Sequence, residues 1–154
     1  MMSIKNFLTL TVRTMDFNIV AKQPELIAKL RKLTLDPYSG LNHELTRMLT
    51  DVKTRPVECQ IILAYRFNTL VGWAILSKEN TEYHFMRSST GFNKENGLLF
   101  QVFVAHEYRR QGIASEIYKK AQQLANGQVL NVCPWDERSS NFYESFPNVN
   151  TKWL

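Results

Sequence analysis

Two cysteines and three histidines in 154 residues leave little from which to build a disulfide framework or a metal centre. Cys59 and Cys133 fall in or beside apolar, strand-like runs, where free buried thiols are expected. His43, His84 and His106 are dispersed along the chain, and no cysteine has a neighbour at zinc-ligand spacing, so no metal is expected. No apolar run approaches the roughly 20 residues that span a bilayer. The N-terminal MMSIKNFLTLTV has too short an apolar segment, with no small-residue cleavage site after it, to read as a signal peptide. A cytoplasmic protein with no membrane partner is expected. The sequence also has no repeat, low-complexity tract or interdomain linker, so residues 1–154 are expected to form one domain.

What is present is ordinary in bulk. Hydrophobic residues make up 44% and charged residues 21%, which is globular composition. The net charge of +5 is uneven: residues 1–77 carry 10 basic and 6 acidic groups (+4), and residues 78–154 carry 9 and 8 (+1). An anionic partner such as RNA, or an acidic protein surface, would suit that excess. Its scatter over Lys29, Arg31, Lys32, Arg47, Lys53 and Arg55 equally suits solvated helix faces.

Hydrophobic periodicity gives the element order. Phe7 to Arg13 alternates and contains β-branched residues, as a first strand does. Pro24 fits the first turn of a helix that places Leu26, Ile27, Leu30 and Leu33 on one face. The Asp36–Gly40 turn cluster leads to a second helix with Leu41, Leu45, Met48, Leu49 and Val52 at helical spacing. Cys59–Tyr65 and Leu70–Leu76 are two strands whose short link makes an antiparallel hairpin. Residues 77–97 are polar and long for a connection, with a strand extension near Tyr83–Met86. Ile113, Ile117, Ala121, Leu124 and Ala125 mark the buried face of a third helix, ended by Asn126-Gly127. Val129–Trp135 is a further strand, Asp136 a plausible N-cap for a short helix, and Val149–Leu154 a remnant strand.

The most informative segment is Leu98–Ala114, LLFQVFVAHEYRRQGIA. It is an apolar strand that turns through His106-Glu107-Tyr108 and Arg109-Arg110-Gln111-Gly112 straight into the third helix. A glycine at such a junction lets several backbone N–H groups converge, with the positive end of the helix dipole behind them. Two adjacent arginines add fixed charge. Those features suit a phosphate; the same residues also suit a plain strand-turn-helix link.

Arg109, Gly112 and Ala114 stand at the defining positions of the pattern Arg/Gln-x-x-Gly-x-Gly/Ala. Set after a strand and before a helix, that pattern resembles the pyrophosphate-binding signature of the GNAT superfamily of acetyl-coenzyme A-dependent N-acyltransferases. A second match lies downstream. Asp136-Glu-Arg-Ser-Ser-Asn-Phe-Tyr143 resembles the family's Asn-x-x-Ala-x-x-Phe-Tyr, with Asp136 and Ser139 as departures. The implied fold is α/β, a mixed and mostly antiparallel sheet with helices on both faces and a parallel crossover over residues 98–135. Family members usually close with two further strands, whereas here only seven residues follow Pro147. The final hairpin is therefore expected to be shortened, or completed by a partner chain in a homodimer.

The resemblance implies acetyl-coenzyme A as co-substrate and direct acetyl transfer to an amine within a ternary complex. The pantetheine arm would lie along Val102, Phe103 and Val104, and a backbone N–H of Phe103 or Val104 would stabilise the oxyanion. The diphosphate would sit on the loop Arg109, Arg110, Gln111, Gly112, Ile113, Ala114 and Ser115, with Asp136 a further cofactor contact. Tyr143 matches the tyrosine that protonates the departing thiolate; a core or rim tyrosine beside Phe142 and Phe146 is the plain alternative. Some members carry a basic glutamate where this chain has Leu98. Glu95, three residues earlier, is the catalytic candidate, with Glu82 and His84 in the same polar segment and a water chain as the alternative. The acceptor is an unidentified amine, with aminoacyl-tRNA or a ribosome-associated protein weakly suggested by the N-terminal charge. A catalytically inactive module of the same fold, binding acetyl-coenzyme A or a protein or RNA partner, is the competing expectation.

Overall fold

In the computed structural model the described residues are 9–34, 40–78, 97–132, 143, 145 and 149–151, with backbone alone for 40, 150 and 151. Strand β1 is Leu10–Asp16 and runs past the expected end at Arg13. Asp16 then caps a short helix, α1 (Phe17–Val20), by accepting from the Asn18 N–H at 2.8 Å. Asn18 in turn ties this corner to a distant segment: its Nδ2 donates to the Val57 carbonyl and its Oδ1 accepts the Val57 N–H, both at 2.9 Å. Phe17 and Val20 are fully buried. Four residues are too few to show a helical period, so the sequence pattern did not reveal α1.

Helix α2 (Pro24–Leu33) opens on its proline as expected. It closes at Thr34, whose hydroxyl donates to the Leu30 carbonyl at 2.7 Å. Helix α3 (Gly40–Asp51) presents Leu41, Leu45 and Met48 to the core. On the same helix Glu44 is buried but paired: Arg47 Nε donates to it at 2.7 Å and Arg47 Nη1 to Asp51 at 2.7 Å. The guanidinium gives the buried carboxylate a charged partner, so it is not left as an isolated charge.

The remaining strands are β2 (Cys59–Arg66), β3 (Thr69–Ser77), β4 (Gly97–Val104), β5 (Val129–Val132) and β6 (Val149–Thr151). They form one six-stranded sheet in sequence order. The first four strands are antiparallel neighbours, and β4/β5 and β5/β6 are parallel. Among the described residues the tail contributes one strand, β6, parallel to β5. Helix α4 (Ile113–Ala125) connects β4 to β5 and ends on Asn126 in the left-handed conformation. Two apolar layers sandwich the sheet. Ile62, Ala74, Phe100, Leu98, Ile117 and Ala121 pack on the α4 side; Leu63, Trp73, Ile75, Leu99, Leu30 and Leu45 pack on the side of α1–α3. Cys59 is a buried thiol, as expected, and Cys133 lies outside the described residues.

One irregularity shapes the end of the sheet where β4 stops. The β2/β3 register runs Ala64↔Gly72 and then Tyr65↔Leu70, which leaves Val71 as a bulge. The Val71 carbonyl accepts the Ala105 N–H at 2.9 Å, so the bulge holds the end of β4. Beside it, a Cβ on Gly72 would fall 2.9 Å from the Phe103 carbonyl oxygen and 3.3 Å from a Val104 methyl. Backbone cannot yield as a flexible side chain does. Gly72→Val is therefore expected to cost about 1–3 kcal/mol of stability by overpacking. A lowered thermal midpoint in a folded variant checks this; an unchanged midpoint would mean that β4 is free to shift.

Candidate active site

The site begins where two parallel strands part. The β4/β5 register is Gly97↔Val129, Leu98↔Leu130 and Leu99↔Asn131; among the described residues it goes no further, while β4 continues to Val104. Among the described residues, none pairs with the side of β4 facing away from β3 from Phe100 onward. Residues along a strand alternate the direction of their N–H and C=O groups. Because the Ala105 N–H is directed at β3, the N–H of Phe103 is too, and those of Val102 and Val104 face the opening. That alternation separates two residues the sequence left equivalent. Val104, and not Phe103, turns its N–H toward the opening.

The Val104 carbonyl is occupied. Arg109 Nε donates to it at 2.9 Å, and the Arg109 guanidinium lies 5.3 Å from the centroid of the Phe103 ring. The first arginine of the pair therefore folds back onto the strand end and fixes the loop. Val102 keeps both its N–H and C=O toward the opening, and Val104 its N–H, as a short unpaired strand edge would.

Beyond β4 the chain makes one 3-10 turn, His106–Tyr108, and then reverses handedness twice. Arg110 has φ +63° and Gly112 φ +80°, with Gln111 between them at negative φ. Alternation of this kind turns successive N–H groups toward one concave point. Gly112 is the N-cap of α4 and, with no side chain, supplies no capping bond; the first helical bond is Glu116 N–H to the Gly112 carbonyl at 3.1 Å. The N–H groups of Ile113, Ala114 and Ser115 therefore precede the helical ladder, and the helix dipole places partial positive charge on them. Arg110 is exposed beside them. Glu116, the acid of the first turn, is paired with Lys119 at 3.1 Å, which moderates its repulsion of an anion.

Tyr143 lies close to the point of separation. It is 8% exposed and meets the Phe100 ring edge-on, with centroids 6.3 Å apart and an interplanar angle of 85°. Phe100 is the first β4 residue past the paired register, and its other neighbour is Tyr118 at 6.1 Å. Burial pushes the Tyr118 phenol above its ordinary value of 10.0, so that ring is neutral packing. Glu95 and Asp136 lie outside the described residues. Leu98, the position where some relatives carry a base, is a core residue at 4% exposure.

The structure thus gathers Val102, Phe103, Val104, the loop Arg109–Ser115 and Tyr143 along one stretch of β4 and the start of α4. It also brings in a residue that sequence reasoning missed. Arg66, at the end of β2, donates from Nη1 to Gln111 Oε1, and its guanidinium lies 5.5 Å from the Tyr108 ring centroid. Nothing in the sequence marks this arginine, because it is 45 positions from its partner and belongs to no motif.

Residues 27–146 match the model of the acetyltransferase (GNAT) family. The chain belongs to that family. Among solved structures, a predicted acetyltransferase from Clostridium acetobutylicum with acetyl-CoA has a TM-score of 0.58 at 17% identity, over 90% of this chain and 88% of that one. An aminoglycoside acetyltransferase from an uncultured soil metagenomic sample, in complex with sisomicin, has a TM-score of 0.57 at 15% identity, over 90% and 88%. A ribosomal-protein-alanine N-acetyltransferase from Brucella melitensis biovar Abortus 2308 has a TM-score of 0.52 at 17% identity, over 88% and 89%. At these identities the likeness is one of fold. No curated protein matches the chain in sequence.

Proposed function

We propose that this GNAT chain transfers the acetyl group of acetyl-coenzyme A to a primary amine by direct attack within a ternary complex. One observation carries the reading: the side of β4 that no described residue pairs beyond Leu99 is followed in the chain by the uncapped start of α4. Acetyl-coenzyme A supplies an activated thioester at one end and a diphosphate further along. The residues present fit both. Val102 offers a strand edge to an extended amide arm, and Gly112 leaves a backbone cradle with no Cβ in it. The N–H groups of Ile113, Ala114 and Ser115 take the diphosphate, with Arg110 adding charge at the rim.

Around the reacting carbon, the Val104 N–H is the donor for developing negative charge on the carbonyl oxygen. Tyr143 donates the proton that the leaving sulfur takes up. A phenol of pKa about 10 and a thiol of pKa about 8.5 are close enough for that exchange. The amine loses its own proton to Glu95 or to solvent, since Leu98 has no basic group. Asp136 completes the cofactor contacts at the family's Asn position. The acceptor class is an amine on a small molecule, a protein or an aminoacyl group, and the protein works in the cytoplasm.

The buried Leu98 also favours a second reading, a module that binds acetyl-coenzyme A without using it. Incubating a cell lysate with isotope-labelled acetyl-coenzyme A, with and without the protein, decides between them. New labelled amides found by mass spectrometry are the result expected. Cofactor binding with no new labelled product would instead establish the non-catalytic module.

A further inference from the structure

We propose that Arg66 is a positioning residue for the diphosphate, acting from the β2–β3 hairpin through Gln111 and Tyr108; the proposal rests on the acetyl-coenzyme A reading above. The two arginines of the loop motif are placed differently. Arg109 is bonded back to the Val104 carbonyl and stacked on Phe103, and Arg110 is exposed. Behind the loop the charge comes from Arg66. The last residue of β2, it reaches across the α4 side of the sheet, Nη1 to Gln111 Oε1, with its guanidinium over the Tyr108 ring. Tyr108 and Gln111 bracket the two motif arginines, so one side chain holds both ends of the turn that sets Arg110 and Gly112 at positive φ.

The guanidinium has more donors than partners. Its Nε and Nη2 are buried atoms without a hydrogen-bond partner. A fixed cation with unused donors, screened from water by Tyr108, holds a positive potential under the loop that an incoming anion neutralises at a distance. The hairpin carrying Arg66 is itself anchored, since the Phe67 N–H donates to the Thr9 carbonyl at 3.0 Å. Phe67 adopts φ +54°, an unfavourable angle for an aromatic residue, and turns the chain immediately after Arg66. Backbone strain of this kind persists where the surrounding contacts hold it.

The test measures acetyl-coenzyme A affinity by calorimetry, which needs no acceptor, together with amide hydrogen exchange of residues 108–115 in the free protein. Arg66→Met keeps the aliphatic stem and removes charge and donors; Gln111→Leu changes only the loop partner and leaves the sheet intact if Arg66→Met does not fold. Each is expected to weaken binding about tenfold, near 1.4 kcal/mol, and to speed exchange in the loop. The double variant should lose little more than Arg66→Met alone, because the two act as one contact. Arg66→Lys should recover part of the affinity through charge. A merely structural role would lower the thermal midpoint but leave affinity and the coupling unmoved. Binding by both single variants as tight as the parent's would overturn the proposal alone. A parent chain that does not bind acetyl-coenzyme A would overturn the reading beneath it, and the proposal with it.

Discussion

Gly112→Glu is expected to abolish acetyl-coenzyme A binding, a loss of more than about 100-fold in affinity, or at least 2.8 kcal/mol on a scale of about 1.4 kcal/mol per factor of ten. Three effects act together at this one atom position. Gly112 sits at φ +80°, where an L side chain is strained by about 1–2 kcal/mol. A side chain there would also stand at the N-cap, next to the N–H groups of Ile113, Ala114 and Ser115 that precede the helical ladder. Most importantly, the new carboxylate would take the helix N-terminus as its own site and repel a diphosphate carrying the same charge. The helix itself tolerates the change, since an acid at its N-terminus is favourable by about 0.3–1 kcal/mol. The variant is therefore expected to fold, and calorimetry reads the site alone. Gly112→Asn, which accepts left-handed backbone without adding charge, should retain measurable binding. Equal affinity in the parent and the glutamate variant would remove the loop as the phosphate site.

Tyr143→Phe is expected to lower kcat about 100-fold, the lower end of what a positioned general acid supplies, with acetyl-coenzyme A affinity unchanged. The substitution is clean because the packing belongs to the ring. The edge-on contact with Phe100 at 6.3 Å needs the aromatic frame, and that frame stays. Turnover is followed by release of the coenzyme A thiol at saturating acetyl-coenzyme A, with an amine acceptor identified by the labelling experiment. Unchanged kcat would return Tyr143 to the hydrophobic layer as an ordinary core residue. A fall in affinity equal to the fall in kcat would assign it to binding.

How much of this was visible in the chain depends on the range of the interaction concerned. Elements with a clear period were legible: the α2 face of Leu26, Ile27 and Leu30, the β2–β3 hairpin, and the α4 stripe of Ile113, Ile117, Ala121 and Ala125. The two layers of core follow from the same periods, since alternate residues of β4 such as Leu98 and Leu99 face opposite sides of the sheet. The strand-loop-helix junction was legible too, from the apolar run Leu98–Val104, Gly112 and the α4 stripe, whereas its reading as a phosphate site came from the resemblance carried by Arg109, Gly112 and Ala114. Helix α1 was not, being one turn long and defined by the Asp16 cap and the Asn18–Val57 bonds. The Val71 bulge was not legible either. It is a relation between strands, and a sequence of alternating apolar residues reads the same with or without it. Arg66 illustrates the general limit: its partner is fixed by the sheet, and composition carries no trace of it. The tail was legible in part. A strand at Val149 was expected and is present, but its parallel pairing with β5 could not be read from so short a segment.

Two readings of Arg109 show the same limit at closer range. The sequence offers two adjacent arginines as a single block of charge. The fold divides their work, folding Arg109 back onto Val104 and Phe103 and leaving Arg110 at the rim. The Arg109 contacts and the left-handed backbone at Arg110 are both features that residue type alone does not announce.

The most direct test of the central claim is amide hydrogen exchange on the intact protein with and without acetyl-coenzyme A. The account predicts new protection at Val102, Val104 and the run Gly112–Ser115, with Phe103, whose N–H is already directed at β3, unchanged. Protection confined to other segments, or none at all at saturating acetyl-coenzyme A, would contradict it.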